Sequence, residues 1–180
     1  GEFSEGEVDL FRQLLKPGQT VIEAGSNIGV HTVPLAQIVG LKGAVYAFEP
    51  QRVVYQALCA NLAQNGIYNV MASLSALGSH GKEGRTVVIP DLNYGAENNF
   101  GGLSVQTSGQ GQRVPLATID SLNIGSCALI KADVEGMELD VLRGGQETIA
   151  KHHPILYVEN DRDEGSQPLL QFIADQGYTA

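Results

Sequence analysis

The sequence has no tryptophan, only two cysteines, and a marked shortage of basic residues. Cys59 and Cys127 have no partner spacing of the kind metal clusters use. They read as small buried thiols of a reducing compartment, which places the protein in the cytoplasm. Eleven Lys and Arg face 20 Asp and Glu, for a formal charge of −9 and a pI near 4.8. That balance argues against a nucleic-acid footprint and against an anionic membrane surface. No apolar run approaches the ~20 residues that cross a bilayer, and the amino terminus lacks the charged-then-apolar layout of a signal. Repeats, low-complexity tracts and linkers are also missing. What remains is 180 residues at 43% hydrophobic content, enough for a single domain over 1–180.

The stretch that is most informative is Val21-Ile-Glu-Ala-Gly-Ser-Asn-Ile-Gly29. A β-branched pair runs into a glycine-containing turn, and apolar positions from Val30 to Val39 follow at helical spacing. This is the strand, loop and helix that begin a βαβ unit. Gly25 suits a positive φ or close approach by a ligand, and Gly29 suits packing of the helix start on the strand. Asn27 stands where a dinucleotide fingerprint carries its middle glycine, so the loop suits a ligand without a pyrophosphate. Ala44–Glu49 reads as a second strand. Its terminal acid falls 20 residues after Gly29, about where a carboxylate grips ribose hydroxyls.

Along the chain, Ser4–Leu15 is predicted to be an amphipathic helix with Ser4 as N-cap and Glu7 completing a capping box. Val53–Asn65 and Pro168–Gln176 are further helices, ending at Gly66 and Gly177. Asn69–Leu74 is a third strand and Ser75-Ala-Leu-Gly78 the loop at its end. Thr86–Pro90, Leu103–Thr107 and Gln112–Leu116 are short strands with hairpin signals, joined by Asn98–Gly102 and Ser108–Gly111. Ala117–Leu122 leads back through a short helix. Cys127–Asp133 is apolar on both faces and therefore a central strand. Helices follow on either side of Gly144-Gly145, and Pro154–Glu159 reads as a fifth central-type strand. The expected fold is α/β, a doubly wound, mostly parallel sheet with a β-hairpin insertion between the third and fourth main strands.

Acids gather at the carboxyl ends of these strands: Glu23, Glu49, Asp133 with Glu135, and Glu159 beside Asn160. A carboxylate rim suits a ligand carrying a sulfonium and an ammonium, such as S-adenosylmethionine. From the first loop the candidate contacts are Glu23, Gly25, Ser26, Asn27 and Gly29. Glu49 and Pro50 follow at the second strand end, Ser75 and Ala76 at the third, and Asp133 at the fourth. In this reading Glu49 holds the ribose, the loop after the third strand meets the adenine edge, and Gly25 with Asp133 meets the methionine part.

Glu23–Gly29, Ala47-Phe-Glu-Pro50, Ile130-Lys-Ala-Asp-Val-Glu-Gly-Met-Glu138 with Val141–Gly144, and Tyr157-Val-Glu159 together resemble the FkbM-type methyltransferases. The resemblance runs in order over most of the chain, and Asp133–Glu138 is its most specific part. It implies a class I fold that is Rossmann-like, S-adenosylmethionine as donor, and O-methylation of hydroxyls on sugars or natural products. It also implies a final strand pair, which has no counterpart before Ala180. Either the chain is truncated at that edge or the edge is missing.

Methyl transfer to a hydroxyl needs the acceptor oxygen held ~3–3.5 Å from the methyl and a base for its proton. Glu135 and Glu159 are the candidate bases by position, with His31 behind them. Strand alternation sends Asp133 and Glu135 to one side and Val134 into the packing. Glu138 reads as a negative charge at a helix start. Asp133, Glu159, Asn160 and Asp161 form an oxygen-ligand set for Mg²⁺, but the resemblance implies no metal, and none is expected. The competing functions are an NAD-dependent oxidoreductase, against which stands the absence of any Tyr-x-x-x-Lys, and a non-catalytic S-adenosylmethionine-binding protein. The expected partner is a small-molecule or glycan hydroxyl acceptor, not nucleic acid or membrane.

Overall fold

The computed structural model describes residues 4–81, 84–91, 109–160 and 163–179. In chain order it has α1 (Glu5–Leu14), β1 (Thr20–Ala24), α2 (Thr32–Val39), β2 (Ala44–Phe48), α3 (Arg52–Gln64) and β3 (Val70–Ser73). Next come β4 (Ala76–Leu77), β5 (Thr86–Ile89), β6 (Gln112–Ala117) and a 3-10 turn at Asp120–Leu122. The chain then continues through β7 (Leu129–Ala132), α4 (Glu138–Arg143), α5 (Gln146–His152), β8 (Ile155–Val158) and α6 (Asp163–Asp175).

Alternation of strands and helices produces a five-stranded sheet in the order β3-β2-β1-β7-β8, with every neighbouring pair parallel. Side-chain parity assigns the two faces. Val21, Val45, Ala47 and Leu129 pack with Phe11 of α1 and with Leu35, Ala36 and Val39 of α2. Ile22, Ala24, Phe48, Ile130 and Ala132 pack on the opposite face with Val141, Leu142, Ile149 and Leu169. Residues Leu129–Ala132 are all buried, as the two-faced apolar run predicts. The strand order reverses between β1 and β7, and in such sheets ligands bind outside the carboxyl ends at that point.

The hairpin insertion is present: β5 runs antiparallel to β6. Ser75–Gly78, however, is not only a loop. Ala76 and Leu77 pair in parallel with Leu116 and Ala117, making a second sheet in the order β4-β6-β5 over its own apolar core. Two buried residues carry no period, so only the distant partner reveals the strand. Leu103–Thr107 and the Asn98–Gly102 loop lie outside the described residues. β8 stands at the edge of the described sheet and is half-buried throughout, not central. α6 begins five residues before Pro168, which sits inside the helix. The fixed φ of proline suits helical backbone, but past the first turn its missing N–H and its ring both cost the helix one rung of its ladder.

The capping box at Ser4 does not form. Ser4 has φ 59° and makes no side-chain cap bond, because Glu7 is drawn to tertiary partners. Its carboxylate accepts from the Tyr157 hydroxyl and pairs with His31 Nε2 at 3.2 Å. The ring of Phe11 meets both His31 and Tyr157 edge-on, at centroid distances of 5.7 and 5.0 Å. Burial opposes ionisation of Glu7, but hydrogen bonds from Tyr157 and Ser4 and the nearby His31 hold its carboxyl below the ordinary range. The Tyr157 phenol is pushed up to about 12 by burial and by its bond to Glu7.

Candidate active site

The site begins at the exit of β1. Gly25 has φ 80°, and a Cβ there would lie 1.8 Å from the carbonyl oxygen of Asp133. Only glycine lets the β1 loop pass the end of β7 this closely. The backbone N–H groups of Gly25 and Ser26 both donate to Phe48 O at 3.0 Å, which ties the loop to β2. Asn27 takes φ 49°, the left-handed conformation its side chain tolerates. Its own N–H donates to Glu49 Oε2 at 2.9 Å, and the N–H of Gln51 donates to Glu49 Oε1 at 2.8 Å.

Glu49 is thus a buried carboxylate, 4% exposed, fixed by two backbone donors. Burial pushes its pKa up to about 7; the two N–H groups pull the other way, and the charge of Glu23 adds to the rise. Each of its oxygens keeps a second acceptor position after these bonds.

These groups line a cleft of about 630 Å³, open to solvent at the switch between β1 and β7. Ala24, Gly25 and Asn27 form one wall, Phe48, Glu49, Pro50 and Gln51 the next. Ser75, Ala76 and Leu77 close the far side, and Asp133, Val134, Glu135 and Met137 complete it.

Of the residues singled out from sequence, Gly25, Asn27, Glu49, Pro50, Ser75, Ala76, Asp133 and Glu135 meet at this cleft. Others do not reach it. Glu23 is 1% exposed and faces α2, where Thr32 Oγ1 donates to its Oε2 at 2.6 Å. Ser26 is buried and donates its hydroxyl to Glu23 O at 3.3 Å, closing the turn. Gly29 packs on α3 and not on the strand, since a Cβ there would meet Leu58 at 2.9 Å. His31 is taken by Glu7 and Phe11 under α1. Glu159 lies beyond β8, its N–H bonded to Ala132 O, and lines no part of the cleft. Asn160 donates to Ser166, and Asp161 lies outside the described residues. Among the described residues no three His, Cys, Asp or Glu side chains are grouped to hold a metal ion.

Strand alternation also fails past Ala132. Asp133, Val134 and Glu135 all line the cleft, because β7 has ended and Glu135 turns left-handed at φ 56°. Sequence reasoning passed over Gln51, Met137 and Lys131. Gln51 lies just past Glu49-Pro50, a position that a loop wrapping the acid would occupy. Lys131 is 1% exposed, with Nζ 3.3 Å from Asp133 Oδ2 and 3.9 Å from Glu23 Oε1. A lysine inside an apolar strand run ending in an acid is the signal for such a buried, acid-paired lysine.

The Methyltransferase FkbM domain profile matches residues 23–180. The chain belongs to this family. No curated protein matches the sequence. Among solved structures, the FkbM domain is similar to Methyltransferase FkbM from Methylobacillus flagellatus KT, with a TM-score of 0.63 and 18% identity. The likeness covers 94% of this chain and 44% of that one, so the chain spans under half of that protein's length. It is similar also to precorrin-6y C5,15-methyltransferase from Geobacter metallireducens GS-15, at TM-score 0.61 and 12% identity over 99% of this chain and 75% of that one. A SAM-dependent O-methyltransferase from Thermotoga maritima matches at TM-score 0.56 and 12% identity, over 96% and 50% of the two chains. At these identities the likeness is one of fold, and that fold is the class I methyltransferase α/β sheet. No helix among the described residues is long and apolar enough to cross a membrane.

Proposed function

We propose that this FkbM domain binds S-adenosylmethionine in the cleft and transfers its methyl group to a hydroxyl oxygen of a sugar or natural product. The observation that carries the reading is Glu49: a buried carboxylate with free acceptor positions, set at the end of β2 and bonded to the β1 loop. Such a group suits two neighbouring hydroxyls, as on a ribose.

The other donors fit the same ligand. Asp133 is a second carboxylate on the cleft wall and suits an ammonium group. Phe48, Leu77, Val134 and Met137 supply apolar surface, and Ser75 a hydroxyl, around the remaining space. When bound, the cofactor supplies a methyl group on a positively charged sulfur, already activated for displacement.

The chain's own part is positioning and proton removal. Glu135 is the carboxylate on the cleft wall past Asp133, and it takes the acceptor's proton as the bond to oxygen forms; such a base is worth typically ~10²–10⁴-fold.

Calorimetric titration with S-adenosylmethionine, S-adenosylhomocysteine and NAD side by side tests the cofactor. The two sulfur compounds are expected to bind and NAD not to; the reverse result overturns the reading. Transfer of labelled methyl to a panel of glycosides then tests the acceptor.

A further inference from the structure

Glu135 occupies a conformation that a residue with a Cβ adopts rarely. It has φ 56° and the next residue, Gly136, has φ 100°, so two left-handed positions stand in succession at the cleft wall. Glycine at 135 would remove the strain. A glutamate there means that the side chain is what the position serves, and something must hold the backbone against relaxation.

That hold is visible one turn further on. Glu138, the first residue of α4, is 7% exposed. Its Oε1 accepts the N–H of Val134 at 3.0 Å and the N–H of Gly136 at 3.1 Å. Val134 and Gly136 stand on either side of Glu135, so a single oxygen atom ties the 133–134 and 135–136 peptide groups together across it. A carboxylate serving only the helix dipole needs to sit in the first turn; it does not need to fold back onto two upstream amides. On the opposite side the segment is fixed by the Asp133 N–H to Ala24 O bond at 3.1 Å and by the contact of Asp133 with Gly25. The loop is held between the cofactor-side glycine and Glu138.

We propose that Glu138 is a positioning residue: its carboxylate keeps Glu135 left-handed and aims the Glu135 carboxylate at the acceptor's side of the cleft. The acceptor part of this rests on the methyl-transfer reading above; the clamp itself does not.

Hydrogen exchange in the ligand-free protein tests the clamp. Glu138→Ala should speed exchange at the Val134 and Gly136 amides by at least about tenfold, while the Asp133 amide, bonded to Ala24, keeps its protection. Glu138→Gln leaves an oxygen at the same reach and should retain most of the protection. The second arm is turnover on whichever glycoside accepts labelled methyl. Glu138→Ala should cut kcat about tenfold or more with S-adenosylhomocysteine affinity held within about twofold, and Glu138→Gln should rescue most of it. Combined with Glu135→Gln, Glu138→Ala should add almost nothing further. Unchanged exchange in Glu138→Ala overturns the clamp, and additive losses in the double variant overturn action through Glu135. A Glu138→Gln variant as impaired as Glu138→Ala shows that charge, not the clamp, matters. If no glycoside is methylated, the hydroxyl-acceptor reading fails and the exchange result still decides the clamp.

Discussion

Asn27 donates its backbone N–H to Glu49 Oε2 at 2.9 Å across 22 residues of sequence. The glycine loop after β1 and the acid after β2 are therefore one unit, and neither can shift without the other. The left-handed φ of Asn27 turns that N–H toward the carboxylate, so the residue at the position of a dinucleotide fingerprint's middle glycine also fixes Glu49.

Replacing Glu49 should show this directly. Glu49→Ala removes a charged acceptor and is expected to cost about 1.5–3 kcal/mol in S-adenosylhomocysteine binding, tenfold or more in Kd. Calorimetry measures it. Unchanged affinity would remove the ribose assignment.

The raised pKa of Glu49 gives a pH dependence whose sign follows from linkage. The folded-state value is about 7 against an ordinary 4.5, chiefly through burial. Between those values the folded protein holds a proton that the unfolded chain has lost, so this group's contribution to stability declines as pH rises through that window. Ligand hydroxyls donate to the ionised form. Affinity for S-adenosylhomocysteine should therefore rise as pH passes through 7 and flatten above it. A wild-type profile flat across that window would show that this proton is uncoupled from binding.

Gly25→Ala brings a methyl group to 1.8 Å from Asp133 O and keeps a positive φ. β1 and β7 must part at their carboxyl ends, at a cost of about 2–4 kcal/mol. That corresponds to a fall of roughly 4–16 °C in Tm by calorimetric scanning, with loss of cofactor binding. A variant melting and binding as wild type would show that the close passage is not required.

Asp120 is a purely architectural counterpart. Its Oδ1 accepts from the N–H and hydroxyl of Thr148, and its Oδ2 from the N–H of Glu147 and from His80, so it caps α5 from outside. Asp120→Ala is expected to cost about 2–4 kcal/mol in denaturant unfolding. Cofactor affinity should not change, because Asp120 lines no part of the cleft.

Glu135→Gln should lower turnover by ~10²-fold while changing S-adenosylhomocysteine affinity by about twofold at most. Glu159→Gln should have little effect on either, since Glu159 does not line the cleft. Normal turnover in the first and loss in the second would transfer the base to the end of β8.

Much of this was legible in the residues. The run Cys127–Asp133 showed the buried strand because no polar parity interrupts it except Lys131, and the Glu23–Gly29 and Glu49 pair showed the cleft. Glu23 was misread because a strand-end acid announces its height in the sheet, not its face. It shares parity with Val21, which looks toward α2, and so it meets Thr32. The capping box failed for a different reason: Glu7 has a local partner in the pattern and a better one in Tyr157, which no local pattern can show. Glu138 looked like an ordinary helix-start charge, because its bonds to Val134 and Gly136 depend on a left-handed turn that glutamate seldom takes.

The bond between Glu7 and Tyr157 joins residues 150 apart in sequence. α1 precedes the other described elements in the chain, and this partner of its Glu7 is made late, on β8. Until Tyr157 arrives, Phe11 lacks one of its two aromatic neighbours and Glu7 one of its partners. Nor can β1 take its central place before β7, more than a hundred residues later, supplies its second edge. Early elements cover part of the apolar face of α1, but the part that meets Tyr157 stays open until β8 is made, and seating it closes the fold at a late, non-local step.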